Sequence, residues 1–150
     1  MNRHSLVLFL TISVVSFLSS GSVSGAVFGD FEYSDTGTTI TITGYNGTGG
    51  NIVIPDTIDG KPVTVIGSSA FYNKVKTNST LTLPSTLTII DVYAFRGCSG
   101  FSGTLTLPST LTTIGPIAFY ECSGFTGSLT IPEGVTTIEG AAFEGCIGFD

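Results

Sequence analysis

Cys98, Cys122 and Cys146 stand 24 residues apart, and thiols at a fixed spacing could join in a disulfide, hold a metal ion or act as nucleophiles. The rest of the sequence narrows these options. An activated nucleophile needs a base beside it, yet the sole histidine is His4, close to the N-terminus. Beyond it no Ser-His-Asp or Cys-His centre can be built, nor any zinc site that uses imidazole. Eleven carboxylates remain. Glu121 with Glu144, or Glu139 with Asp91, could meet across neighbouring segments, but no pair stands out by spacing, and solvated surface acids explain them better. "DTIDG", Asp56 to Gly60, lacks the ligand spacing of a calcium loop and reads as a turn. The expectation is a chain that is not an enzyme and carries no cofactor or metal.

Each cysteine follows an alanine by four residues (Ala94, Ala118, Ala142), which places the thiols inward as small buried hydrophobes. Stacked Cα atoms about 4.8 Å apart with parallel Cβ vectors sit wider than the ~3.8 Å a disulfide prefers. Free thiols are therefore expected, with one strained disulfide and a metal site as the alternatives.

Hydroxyls offer a second pattern. Thr80 and Thr82, Thr104 and Thr106, Ser128 and Thr130 flank leucines at alternate positions, so they form two outward columns and are the expected binding face. The array is similar to the flat faces of ice-binding solenoids, a minor alternative, since threonine also favours strands for its own packing reasons. Tyr72, Tyr93 and Tyr120 could add partly exposed aromatic anchors. Asn46-Gly47-Thr48 and Asn78-Ser79-Thr80 are sequons that would accept glycans in a eukaryotic secretory route.

These residues are positioned by a repeat. "TLTLPSTLTIIDVYAFRGCSGFSG" from Thr80, "TLTLPSTLTTIGPIAFYECSGFTG" from Thr104 and "SLTIPEGVTTIEGAAFEGCIGFD" from Ser128 keep Pro, Ile, Ala-Phe, Cys and a final Phe in register. A period in the twenties means a solenoid, in which each unit is a coil that buries its apolar face only against its neighbours. An earlier, longer coil from Asn51 holds Ile52, Ile54, Pro55, Ile66, Ala70 and Phe71 at the same places, with five extra residues near "DGKP" expected to bulge from a corner. Within a coil, "TLTLP" reads as a strand paired in parallel with its neighbours, "LTTIG" as a second extended piece, and "PIAFYECSG" as one helical or 3₁₀ turn. Phe31, Tyr33, Ile40 and Ile42 alternate around "SDTG" as a β-hairpin that caps the first coil. The division is 1–25 signal, 26–50 cap and 51–150 solenoid, with coils 51–79, 80–103, 104–127 and 128–150. No cap follows the last coil, so end-to-end association through it is expected, or a fragment of something longer.

The first 25 residues carry Arg3 and His4, an apolar run from Leu6 to Leu18 and small residues after it, the layout of a cleaved secretory signal. Four basic residues then face eleven acidic ones, a net charge of −7. Such a balance disfavours nucleic acid and anionic membrane surfaces, which need clustered Lys and Arg. No second apolar run is long enough to span a bilayer. The product is expected to be secreted, without membrane insertion after signal removal.

The pattern "LTLP...L..I...AF..C.GF", preceded by a hairpin and "TGYNGTGGNIVIP", resembles the BspA-type leucine-rich repeat proteins over Phe31 to Phe149. The resemblance implies a leucine-rich repeat solenoid, mainly β, that is secreted or surface-displayed by bacteria and mucosa-dwelling protists. It further implies adhesion to host extracellular proteins or to other cells, through an extracellular protein or glycan ligand.

Overall fold

The computed structural model describes residues 25–150. The expected signal therefore lies outside the described residues, save for its last residue, Gly25. An antiparallel meander opens the fold: β1 (Ala26–Phe28), β2 (Phe31–Asp35) and β3 (Ile40–Tyr45). Phe31, Tyr33, Ile40, Ile42 and Tyr45 point inward and are buried, as the alternation requires. β3 then pairs in parallel with β6 (Lys61–Ile66), so the cap is hydrogen-bonded onto the first coil.

From β6 a parallel ladder runs through β8 (Ile89–Ile90), β9 (Thr113–Ile114) and β10 (Thr137–Ile138). Ile66, Ile90, Ile114 and Ile138 stand in register, one per coil. Threonine hydroxyls tighten this side: Thr88, Thr112 and Thr136 each donate to the carbonyl 24 residues earlier, at 3.0, 3.0 and 3.4 Å. The core behind it is a stack of rings. Tyr45 of the cap, Phe71, Phe95, Phe119 and Phe143 follow one another with centroids 4.8 to 5.3 Å apart. Phe101, Phe125 and Phe149 form a second stack beside the first. Coils approach so closely there that a Cβ on Gly124 or Gly148 would run into the carbonyl oxygen of Phe101 or Phe125, which explains the glycine before each last phenylalanine.

Three expectations need correction. No helix occurs among the described residues, and the "AF..C" segments are chains of turns. Their amides alternate: Ala94, Arg96 and Cys98 donate three residues back, while Tyr93, Phe95 and Gly97 donate to Pro116, Ala118 and Tyr120 of the next coil. A helix would spend all of these amides locally, whereas this winding gives every second one to the neighbouring coil. Left-handed residues every four positions produce it, Tyr93 (φ 58°) and Gly97 (φ 70°) in one coil, Ile117 (φ 60°) and Glu121 (φ 57°) in the next.

The second correction concerns "TLTLP". Only β4 (Asn51–Val53) and β7 (Thr80–Thr82) pair there, and the later segments at 104–108 and 128–132 are extended but unpaired. Ladders hold the coils together on the other two sides, so a bend between coils opens this one. Third, the five extra residues do not bulge. β5 (Thr57–Ile58) folds back on β6 through a two-residue turn at Asp59 (φ 51°) and Gly60 (φ 75°), and Ile58 is buried. Asp59 accepts from the Tyr33 hydroxyl at 2.9 Å and Lys61 pairs with Asp35, which ties this hairpin to the cap.

Candidate binding surfaces

Thr80, Thr82, Thr104, Thr106, Ser128 and Thr130 are all exposed, while Leu81, Leu105 and Leu107 between them are buried. Alternation thus delivers the outward hydroxyls that the sequence indicates. It does not deliver a flat sheet. Where the strands separate, two grooves of about 350 and 360 Å³ open between successive coils. One lies between Leu105 and Leu107 and the rim of Ser128 and Thr130, the other between Leu81 and Leu83 and Thr106. Within the grooves, the backbone groups of Thr104 to Leu107 and of Ser128 to Ile131 find no backbone partner among the described residues. A flat hydroxyl lattice of the ice-binding kind needs the ladder in every coil, and here it stops after β7.

On the turn side lies a cluster that reading the tyrosines singly misses. The Arg96 guanidinium carbon sits 5.3, 5.8 and 5.5 Å from the ring centres of Tyr72, Tyr93 and Tyr120, and one of its nitrogens donates to the Tyr72 hydroxyl at 2.9 Å. Cation–π attraction holds the cation in place. The signal was in the period: Tyr72, Arg96 and Tyr120 occupy the same place in three consecutive coils.

The cysteines are free. Cys98, Cys122 and Cys146 each donate to the phenylalanine carbonyl 27 residues earlier (Phe71, Phe95 and Phe119) at 2.9, 3.1 and 3.0 Å. Burial pushes all three thiols above the ordinary range, Cys122 furthest, and its two neighbouring cysteines add to that rise. Protonated thiols of this kind are poor nucleophiles and poor metal ligands. Carboxylates are similarly engaged in the fold: Asp56 accepts from the Ser85 amide at 2.6 Å and Asp91 from the Val92 amide at 2.7 Å. Among the described residues no group of three or more His, Cys, Asp or Glu is placed to hold a metal ion. Both sequon asparagines, Asn46 and Asn78, are exposed, and the Asn46 amide donates to Glu32 at 2.7 Å.

A family model described as the BspA type leucine rich repeat region matches residues 51–150 in six copies. None of the curated proteins matches the chain. Among solved structures, a leucine rich cell surface protein of Faecalibacterium prausnitzii aligns with 32% identity and a TM-score of 0.70, over 88% of this chain and 37% of that one. A leucine-rich repeat protein of T. pallidum aligns with 28% identity and a TM-score of 0.62, over 83% and 69%. One from Bacteroides capillosus gives 28% and 0.65, over 77% and 88%. The chain thus spans little more than a third of the Faecalibacterium protein's length.

Proposed function

Since the chain belongs to the BspA-type leucine-rich repeat family, we propose that it is a secreted or cell-surface, non-enzymatic module that binds an extracellular protein or glycan and mediates adhesion. The observation that carries this reading is the grooved threonine face. Hydroxyl rims and leucine floors recur there from coil to coil, with unpaired backbone donors and acceptors in the coils that start at Thr104 and Ser128. A ligand laid along it would find polar partners and apolar slots together, the usual composition of a recognition surface. The likeness to a protein described as a cell surface protein supports the location. The test is a binding screen of residues 25–150 against extracellular matrix proteins, mucins and whole cells, beside a Thr82→Lys, Thr106→Lys, Thr130→Lys variant. Binding that the folded variant loses is expected. Absence of binding by the parent, or equal binding by both, would remove this face as the site.

A second reading is favoured by the exposure of Ile131, Ile138 and Ile147, the third of them at 84%. In it the solenoid supplies coils to a larger surface assembly by end-to-end association. Ile138→Lys would then lower the apparent mass in light scattering, and an unchanged monomeric mass for parent and variant alike would count against it.

A further inference from the structure

The turn side of the solenoid carries a charge pattern that the threonine face lacks. One column of outward side chains runs Tyr72, Arg96, Tyr120, Glu144, a residue per coil. Successive coils are about 5 Å apart there, as the ring stack beneath shows. Arg96 has no carboxylate partner, since the ion pair between Lys61 and Asp35 is the sole one among the described residues. Glu144 is exposed and likewise unpaired. The two flank Tyr120 by one coil each and make no ion pair with each other.

A second copy resolves this. A two-fold axis lying in the face at Tyr120, and running across the coils, brings Arg96 of one copy opposite Glu144 of the other, and does so twice. The same axis sets exposed Tyr93 against the small Ala141, and half-buried Ile117 against its own counterpart. Arg96 is already held between tyrosine rings, so little side-chain freedom is lost when it pairs. Glu121 would meet its counterpart near the axis. This one like-charge contact is set against the two Arg96–Glu144 bridges. We propose that the turn side is a self-complementary surface through which two copies of this chain pair with coil order reversed, centred on Tyr120 and closed by two Arg96–Glu144 bridges. Both halves of the charge pair sit on one face, which favours a second copy over an unrelated acidic partner. Three coils make a short interface, so the dimer is weak and exchanges readily.

Sedimentation equilibrium of residues 25–150 over a range of concentrations tests this. A concentration-dependent monomer–dimer equilibrium is expected. Arg96→Glu and Glu144→Arg should each weaken it by about tenfold or more, and the two together should restore it, because the swapped charges complement again. Glu121→Gln should strengthen it. Circular dichroism checks folding, and Glu144→Arg, at an exposed position, serves should Arg96→Glu unfold. A protein that stays monomeric up to about 1 mM overturns the proposal, as does a dimer indifferent to both charge changes or a double swap that fails to recover. If the monomer instead binds poly-L-glutamate through Arg96, the occupant is an acidic segment of another protein and self-pairing is overturned. Thr82, Thr106 and Thr130 lie on another side of the coil, so failure of the adhesive face and failure of this surface are separately readable.

Discussion

At the scale of single residues the thiols are the sharpest case. Each cysteine closes one coil onto the preceding one through a sulfur-to-carbonyl hydrogen bond inside the core, and burial raises its pKa. A pKa raised in the folded state means that the unfolded chain loses its protons first as pH climbs. The contribution of these groups is therefore intact below the ordinary thiol pKa of about 8.5 and is lost as pH rises beyond it. Thermal melts should show stability falling between pH 8 and pH 10, by on the order of 1 kcal/mol per pH unit above that value for Cys122, the thiol raised furthest, and by less for the half-exposed Cys146. Tyr33, also raised through its hydrogen bond to Asp59, adds a loss of the same sign at higher pH. A Cys98→Ala, Cys122→Ala variant should melt lower at pH 7 but show a shallower pH slope. Equal slopes in parent and variant would mean that the thiols are not buried as described. The sequence already placed these cysteines inward, because each stands four residues after an inward alanine. It gave no hint of the carbonyl they bond, since that partner lies 27 residues back and is set by how the turns wind.

Turn winding is the feature at the scale of elements that sequence reading misjudged. "PIAFYECSG" has proline first, alanine and cysteine four apart and glycine after, all of which suit a helical turn. What overrides them is the demand of the stack, where alternate amides must reach the next coil. Meeting it puts Ile117 and Glu121 in the left-handed region, which costs a residue with a side chain about 1–2 kcal/mol relative to glycine. The equivalents of Glu121 in the flanking coils are Gly97 and Gly145, both left-handed as well. Glu121→Gly should therefore raise stability by about 0.5–1 kcal/mol, once the extra freedom glycine gains in the unfolded chain is subtracted. Chemical denaturation of parent and variant measures this, and a destabilised variant would show that Glu121 makes a contact worth more than its strain. The strand assignment failed for a related reason. "TLTLP" and "LTTIG" both read as extended, and nothing in their residues says which side of the coil stays closed when the stack bends. By contrast the hairpin cap, the phenylalanine columns and the outward threonines were legible, because alternation and period fix which way a side chain faces.

At the scale of the whole molecule the fold is a one-dimensional stack, and its stability is a sum of coil and interface contributions. Every coil from Thr80 onward presents the same surfaces above and below: isoleucine ladder, ring stack, thiol and glycine. Removing Thr104 to Gly127 should therefore leave a working chain. Phe95 would stack on Phe143 as it now does on Phe119, the Cys146 thiol would take over the Phe95 carbonyl, and β8 would pair with β10. The expected result is a cooperative melt at a lower temperature, since one interface is gone but no side chain has lost its environment. Removing only Thr104 to Gly115 should behave differently. It would set Pro116 and the turn segment where a strand belongs, face the thiol away from the core and break both ring stacks, so no cooperative transition should remain. If both deletions melt alike, the coils do not act as interchangeable units, and the stack must depend on contacts particular to one pair of neighbours, with the cap and β6 the first place to look for them.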